Sequence, residues 1–551
     1  MDGEVEYDVI TKLGGEFVSS PSVERATQIA DLCRNEKNRF KFTNNEQLVP
    51  ALVSFLHSVV SGPPDGTIAA LRGIGNLTYE IDRNRKVVMQ KHGVETIVKQ
   101  LDHAHPTVRR VAAGVLVNLL YKADEVYTEV LKHDIIPSLV KLVDDEDAVL
   151  MALRALGNVV SDSAHYSYFL EIQFFPKIIS LLQKSIDDDD DLACECVTIL
   201  TQAVDHAPFW EQMKGAGVIN LALEIVRNDG HDEALRTKVS DFLIGAAKVE
   251  GNLSDFEPLL NVFVTMNRSH DTLTHSTAIM LLAHLSLSDT GRTKLFTSLS
   301  DIILRPNPTD IKTQLGQAML LGNLPHCDDV AIALAHNPTI VTILIQYLRE
   351  VEDERVRHLA AAALRNLSLP TINKTALKGH GLIDAALRLL STSKNALVLF
   401  ECIRLIRSLL ADVTYHDEFF TCDGLRHLTA IDEQTFIDGQ ERIHFEAGRV
   451  WVVLAENPKN SVFLSDHDAF VSPIGRLLTS PFPILQSEGA RCAHTLYTSG
   501  YPSTTNYDLI TKLSTVLRDT NDVAVRSHCA RAIAAFVSHM SDIAPLLACE
   551  G

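Results

Sequence analysis

Apolar residues recur along this chain at the spacing of one face of an α-helix. In one typical run, Ile136, Leu139, Val140, Leu142 and Val143 bring apolar side chains back within every helical turn. No segment alternates apolar and polar residues over a useful strand length. The pattern therefore predicts a protein built from helices.

One phrase repeats within this helical pattern: an Ala- and Leu-rich helix that ends in an apolar residue, a polar residue and a second apolar residue. We call the polar centre of each phrase an anchor. The clear anchors are Asn76, Asn118, Asn158, Gln202, His284, Asn323 and Asn366. Weaker copies lie near Cys33, Gly245, Arg407, Val453, Thr495 and Ala535. Asn76 and Asn118 are 42 residues apart, and the spacing stays close to that value along the chain.

A repeat of this length cannot bury its apolar face alone, so neighbouring copies must stack on one another. We therefore predict an all-α solenoid of about 12–13 repeats that fills residues 1–551 as a single array. Residues 1–45 form the N-terminal capping repeat, residues 46–540 the central repeats and residues 541–551 the C-terminal end.

The residues that begin and end the helices between the anchors resemble those of armadillo repeats. The second helix of a repeat starts with Gly93-Val94, Ile136-Pro137 or Gly381-Leu382, and the Asn-bearing helix follows. HEAT repeats share the period but lack the Asn. The resemblance implies a right-handed superhelix whose Asn-bearing helices line a groove for partner proteins. The alternative is that each Asn caps a helix or ties neighbouring repeats together.

Composition narrows the range of functions. With 50 Lys and Arg against 70 Asp and Glu, the formal charge is −20, which disfavours nucleic-acid binding because phosphate is repelled. Apolar residues make up 46%, too many for a disordered chain. We expect no secretion signal and no integral membrane segment, and nine cysteines without paired spacing favour a reduced, cytoplasmic location.

The chain lacks the sequence signatures of catalysis. Phosphate-binding loops, nucleophile elbows and zinc-protease motifs are all missing, so we expect no catalytic residues, no cofactor and no metal. The acidic run Asp187–Asp191 lacks the spacing of a calcium loop and is more simply a solvated loop. We expect a protein that acts by binding.

Three kinds of armadillo protein that act by binding have to be compared: nuclear-import receptors, catenin-type scaffolds and regulators of small GTPases. Nuclear-import receptors carry Trp four residues before the groove Asn, whereas this chain has no Trp at those positions. They are occupied by Arg72, Gly114, Arg154, Met319 and Ala362. Catenin-type scaffolds use a basic groove, which the acidic charge disfavours. An import or scaffold adaptor for basic peptides stays open as the alternative to a regulator of small GTPases.

Particular segments of the chain favour the third kind, the regulators of small GTPases. Residues 363–374, which read ALRNLSLPTINK, resemble the small-GTPase GDP-dissociation stimulators, the SmgGDS family. The likeness continues in order along most of the chain, at residues 73–80, 135–142, 217–219, 223–226 and 293–296. Two features depart from the family. The region around 230–275 looks longer than the corresponding region of the family, and Cys327 stands where the family has a second Asn, one turn after the anchor Asn323.

The resemblance implies a guanine-nucleotide exchange factor or chaperone. It would bind Rho- and Rap-type small GTPases that carry polybasic, prenylated C-terminal tails, and it would promote GDP release without covalent chemistry. It also implies that Asn323, Asn366 and the adjacent Arg365 contact the body of the GTPase. The other clear anchors extend this candidate groove.

Acidic residues follow the anchors with the same period. They are Glu80, Asp124, Asp162, Asp205, Asp289, Asp328 and Asp412. Acids near a helix C-terminus are unfavourable unless something uses them, so one interpretation is an acidic rim for a basic tail. We predict that Glu80, Asp124, Asp162, Asp205 and Asp328 form this patch. The other interpretation is that each acid caps the next helix, as fits Asp162 and Asp289.

A prenyl group would also need an apolar cleft. Small residues on two neighbouring helices could open one, although the same residues suit ordinary close packing. They are Ala112, Ala113, Gly114, Ala155 and Gly157.

Overall fold

A computed structural model of the chain describes residues 4–122, 124–432, 441–460, 468–498 and 507–538. The predicted C-terminal segment 541–551 lies outside these residues. Within them the regular structure is helical, without a strand. The chain divides into two compact units, residues 1–255 and 256–551, and each is described by itself. The predicted single array of residues 1–551 stays a prediction.

In the first unit, helices that end at the anchors pack side by side on one another, and we call them anchor helices. They are α2 Val23–Leu32, α5 Pro64–Thr78, α8 Pro106–Leu119, α11 Val149–Gly157, α14 Asp190–Ala203 and α17 Glu233–Lys248. The flanking helices are α1 Tyr7–Ser19, α3 Glu36–Thr43, α4 Leu48–Val59, α6 Asp82–Gln90, α7 Gly93–Lys99, α9 Glu125–Leu131, α10 Ile135–Lys141, α12 Tyr166–Glu171, α13 Phe174–Ser185, α15 Ala207–Gly215 and α16 Val218–Arg227. Helix α18, Leu253–Phe256, contains the boundary between the units.

The second unit repeats the arrangement. Its anchor helices are α20 Thr272–Leu285, α22 Ile311–Asn323, α25 Glu354–Leu367, α28 Ala396–Leu410, α31 Glu441–Ala455, α33 Pro483–Thr498 and α35 Val523–Ser538. Its flanking helices are α19 Leu260–Asn267, α21 Asp289–Thr297, α23 Asp328–Ala335, α24 Pro338–Glu350, α26 Thr371–Leu377, α27 Leu382–Thr392, α29 His416–Thr421, α30 Gly424–Asp432, α32 Asp468–Leu478 and α34 Tyr507–Asp519. Every predicted anchor lies at or near the end of an anchor helix.

Local sequence explains where the anchor helices begin. Most start after a residue whose side chain accepts a hydrogen bond from the first turn, such as Asp189 for α14, Asp271 for α20 and Asn395 for α28. Others begin at a proline, as α5 does at Pro64, where a missing N–H costs nothing. The solvent-shielded core is dominated by Leu, Ile, Val and Ala from both kinds of helix.

The corner before the second helix of a repeat needs a left-handed residue. Gly217 and Gly381 fill it with φ of 81° and 64°, as glycine does most easily. Before α7, however, the left-handed residue is His92 with φ of 56°, and Gly93 is the first residue of the helix. A Cβ on Gly93 would lie only 3.0 Å from the Val88 side chain, so this glycine is needed for close packing.

Of the described helices, none on its own is long and apolar enough to cross a membrane. Only Asp328–Ala335 and Pro338–Glu350, taken together across a bend of 83°, meet the criteria of length and composition.

Candidate functional site

The anchor asparagines tie neighbouring repeats together through their amide nitrogens. Asn118 Nδ2 donates to the carbonyl oxygen of Gly75 at 2.8 Å, and Asn158 Nδ2 donates to that of Val117 at 3.0 Å. In the second unit Asn366 Nδ2 donates to the carbonyl oxygen of Gly322 at 2.9 Å. Each acceptor directly precedes an anchor of the previous repeat, so the bonds form a ladder across the anchor helices.

Two more anchors also donate hydrogen bonds to the preceding repeat, but their acceptors do not lie next to an anchor in the same way. Asn76 Nδ2 donates to the carbonyl oxygen of Ala30 at 2.7 Å, and Asn323 Nδ2 donates to the Ser286 hydroxyl at 3.0 Å. All five side chains are half-buried. Their amide oxygens have no hydrogen-bond partner among the described residues and reach solvent. An amide has both donor and acceptor capacity, so one group can hold the repeats together and still face a partner.

The remaining candidate groove residues differ in accessibility. Gln202 is exposed at the end of α14. His284 is only 6% exposed and lies within the core of the second unit, so it does not present a surface there. Arg365 pairs with Glu401 at 3.3 Å, with its side chain 17% exposed, and burial lowers the pKa of its guanidinium. The structure thus brings Arg365 beside Asn366 and holds it against the next anchor helix.

The predicted acids of the first unit occupy equivalent positions just after successive anchor helices, and Asp124 and Asp162 each contact the preceding repeat. Arg85 of α6, 1% exposed, reaches forward to Asp124 at 3.1 Å and donates to the Leu119 carbonyl oxygen at 2.9 Å. One repeat further, the Tyr127 hydroxyl donates to Asp162 at 2.9 Å. We call Glu80, Asp124, Asp162 and Asp205 the acidic rim.

Two members of the acidic rim, Asp124 and Asp162, accept hydrogen bonds from the backbone. Asp124 accepts hydrogen bonds from the N–H groups of Val126 and Tyr127 at the start of α9. Asp162 accepts one from the N–H of Ala164. Burial raises the pKa of Asp162, but the hydrogen bonds from Ala164 and Tyr127 outweigh it and hold the pKa below its ordinary value. The capping interpretation is correct for these two acids.

Glu80 and Asp205 are exposed and have no hydrogen bond or ion pair within the part of the chain that the structure describes. Glu80 also has a left-handed backbone, with φ of 58°. In the second unit Asp328 is likewise exposed, as the first residue of α23. Asp289 is the first residue of α21, but the cap is the neighbouring Ser288. Among the acids of the predicted patch, those without a partner in the described residues are therefore Glu80, Asp205 and Asp328.

Sequence reasoning missed two aromatic residues near the acidic rim. Tyr79 and Tyr121 are 46% and 59% exposed, so both rings can contact a partner. Each lies three residues after an anchor, at Asn76 and Asn118, so the repeat itself could have found them. The Arg39 guanidinium lies 4.8 Å above the Tyr79 ring, which shows that this ring accommodates a cation on its face.

The small residues considered for a prenyl cleft are used in helix packing. Ala112, Ala113 and Ala155 are fully buried, and a Cβ on Gly114 would contact Met151 Sδ at 3.6 Å. Among the described residues, no group of three or more His, Cys, Asp or Glu side chains is arranged to hold a metal ion.

Comparison with known proteins finds a repeat family and similar proteins. The model of the armadillo/beta-catenin-like repeat matches residues 82–121, the segment from α6 to the end of α8. Over 411 residues the chain is 24% identical to Rap1 GTPase-GDP dissociation stimulator 1-B of Xenopus laevis, a match that covers 71% of this chain and 61% of that protein. It is 21% identical to the GTPase-GDP dissociation stimulator vimar of Drosophila melanogaster, covering 68% and 56%.

Among solved structures, a chain from a study of the interaction between cadherin and beta-catenin matches with a TM-score of 0.48 and 15% identity, covering 98% of this chain and all of that one. The matches to the Xenopus and Drosophila proteins span about three fifths of their length. The all-helical repeats and the match to the armadillo/beta-catenin-like repeat confirm the predicted all-α armadillo-repeat fold, and the matches to the Xenopus and Drosophila proteins confirm the predicted resemblance to the GTPase-GDP dissociation stimulators.

Proposed function

We propose that this chain binds small GTPases of the Rho and Rap type and promotes the release of GDP from them, as an exchange factor or chaperone. The observation that carries the proposal is the similarity to GTPase-GDP dissociation stimulators along 71% of the chain. Exchange of this kind breaks no covalent bond. A protein that binds the nucleotide-poor conformation of a GTPase more tightly shifts the population toward it, and GDP leaves faster.

The acidic rim is the proposed site for a Lys- and Arg-rich C-terminal tail. Glu80 and Asp205 supply carboxylates that pair with no cation among the described residues, and Tyr121 supplies an exposed ring on which Lys or Arg can lie. The net charge of −20 adds a long-range attraction for a basic segment. In the second unit, Asp328 offers a further unpaired carboxylate.

Asn323, Arg365 and Asn366 are the proposed contacts to the body of the GTPase. Their support is the family resemblance around residues 363–374 together with the amide oxygens that Asn323 and Asn366 leave facing solvent. These oxygens can accept hydrogen bonds from backbone N–H groups of a partner.

The direct test is the release of a fluorescent GDP analogue from purified Rho, Rap and Ras proteins, with and without the chain. We expect faster release from at least one GTPase with a polybasic tail and little effect on one without. Absence of acceleration across the panel would contradict the exchange function. If lysine-rich import peptides bound instead, the adaptor alternative would replace it.

A further inference from the structure

A row of arginines crosses the last four described anchor helices of the second unit. Arg404 on α28, Arg449 on α31, Arg491 on α33 and Arg531 on α35 follow one another at intervals of 45, 42 and 40 residues, one repeat each. We call them the arginine ladder. In the first three, a glutamate precedes the arginine by three residues, and in the fourth a histidine stands in its place.

The glutamates lie beneath the arginines. Glu401, Glu446 and Glu488 have side chains only 9%, 9% and 7% exposed, whereas Arg404, Arg449 and Arg491 are 26%, 37% and 43% exposed. Arg404 pairs with Glu401 at 2.9 Å, and Arg491 pairs with Glu488 at 2.8 Å. The buried carboxylates thus fix the guanidinium groups while leaving them at the surface.

Aromatic rings and further arginines complete the surface. The guanidinium groups of Arg404 and Arg449 lie 5.2 and 5.6 Å from the ring centres of Phe400 and Phe445. Each of the first two carboxylates also pairs with a second arginine of the preceding repeat, Arg365 for Glu401 and Arg407 for Glu446. The guanidinium groups therefore outnumber the carboxylates that hold them, and positive charge is left over.

At its far end the ladder borders a small cleft of about 110 Å³, between α31, α33 and α35. Arg491, Arg531, His494 and His528 line it together with Glu456, Val452 and Thr495. The Ser487 hydroxyl lies 2.7 Å from His528 Nδ1. Burial lowers the pKa of His528, and the positive charges of Arg491 and Arg531 lower it further. The cleft is large enough for a carboxylate group.

We propose that the arginine ladder binds an extended acidic segment of a partner protein. Packed helices lie about 8–10 Å apart, and a polyproline II segment advances about 3.1 Å per residue with three residues per turn, so acidic side chains at every third residue lie on one face and match successive rungs. Guanidinium groups recognise carboxylates through paired hydrogen bonds. The charge of −20 on the whole chain disfavours nucleic acid at the same surface, since most of the molecule repels phosphate.

The test uses a fluorescein-labelled 12-residue peptide with Glu at every third position, and its counterpart with Gln at those positions. Binding to the full chain is followed by fluorescence anisotropy. We expect the Glu peptide to bind and the Gln peptide not to bind. Arg531→Gln should weaken binding about three-fold, and Arg491→Gln combined with Arg531→Gln about ten-fold, as expected for partly exposed ion pairs.

The controls separate this surface from overall charge and from folding. Arg388→Gln and Arg426→Gln make the same change of charge on the flanking helices α27 and α30, where both side chains are highly exposed, and they should leave binding unchanged. Arg531 has no ion pair among the described residues, so Arg531→Gln should keep the melting temperature even if Arg491→Gln lowers it.

Three results would overturn the proposal: no binding of the Glu peptide, equal weakening by the flanking-helix controls, or more effective displacement of the peptide by an RNA oligonucleotide of equal charge. The experiment contains no GTPase, so its outcome is independent of the proposed exchange function.

Discussion

At the scale of single residues, the amide nitrogen and the amide oxygen of an anchor asparagine have separate roles. The Asn366 amide nitrogen ties α25 to α22, and its oxygen faces solvent. Asn366→Ala should therefore cost about 1 kcal/mol of folding free energy and lower the melting temperature by a few degrees. If the oxygen also contacts the GTPase, the same variant should slow stimulated GDP release at least about three-fold, well below the melting temperature.

Asn373 provides the matched control in the same repeat. It is fully buried and donates to the carbonyl oxygens of Ala331 at 3.0 Å and Leu367 at 2.8 Å. Asn373→Ala should lower the melting temperature more than Asn366→Ala does, because it leaves two acceptors without their donor. GDP release at low temperature should be unaffected. Equal slowing by both variants would assign Asn366 a structural role alone.

An ion pair in the first unit makes stability depend on pH. Burial raises the pKa of Asp145, but Arg109 Nε at 2.6 Å, with the N–H groups of Asp147 and Ala148, outweighs it and holds the pKa below its ordinary value. A lowered pKa stabilises the fold above the unfolded value near 4, and this contribution disappears as pH falls through the folded value. Arg109→Gln should thus cost about 1 kcal/mol at pH 7 and progressively less below about pH 4. Thermal melts across pH check this, and a constant difference would contradict it.

The sequence predicted the placement of these residues better than their contacts. The anchors were found because an apolar helix with a fixed period leaves a strong signal, and each lies at or near the end of its helix. The bond from Asn118 to the Gly75 carbonyl oxygen was not predictable, since the acceptor belongs to the backbone of another repeat. The arginine ladder was not predictable in this way, because the four helices that carry it hold only weak anchors.

At the scale of helices, the distance between anchor helices depends on small residues. In α22, a Cβ on Gly316 would lie 2.9 Å from the Ile279 side chain and 3.1 Å from the backbone of α20. Because backbone cannot move aside cheaply, Gly316→Ala should separate the two helices and cost about 2 kcal/mol. The measurement is the free energy of unfolding in urea.

Gly322 at the end of the same helix is the natural comparison. A Cβ there would meet Ala363 at 3.6 Å, an ordinary contact. Gly322→Ala should be neutral or stabilise the protein by up to about 1 kcal/mol, because alanine restricts the unfolded chain more than glycine does. If the two variants behaved alike, the close approach of α20 and α22 would not limit the packing.

At the scale of the whole molecule, the acidic charge should control how a basic tail is captured. Attraction between exposed charges weakens as the Debye length shrinks from about 10 Å at 0.1 M salt to about 3 Å at 1 M. Affinity for a GTPase with a polybasic tail should therefore fall as salt rises, whereas affinity for the tail-deleted GTPase should be weaker and nearly independent of salt. Fluorescence titrations over a range of salt concentrations measure both.

Position as well as total charge should matter in that titration. Glu80→Gln combined with Asp205→Asn removes two unpaired carboxylates of the acidic rim, so it should reduce tail-dependent affinity about three- to ten-fold and flatten the salt dependence. Asp229→Asn removes an exposed, unpaired acid elsewhere in the same unit and should do neither. If affinity followed net charge alone, Asp229→Asn would have about half the effect of the rim variant. If the acidic rim binds the tail specifically, the rim variant should lower affinity for the full-length GTPase and leave affinity for the tail-deleted GTPase unchanged.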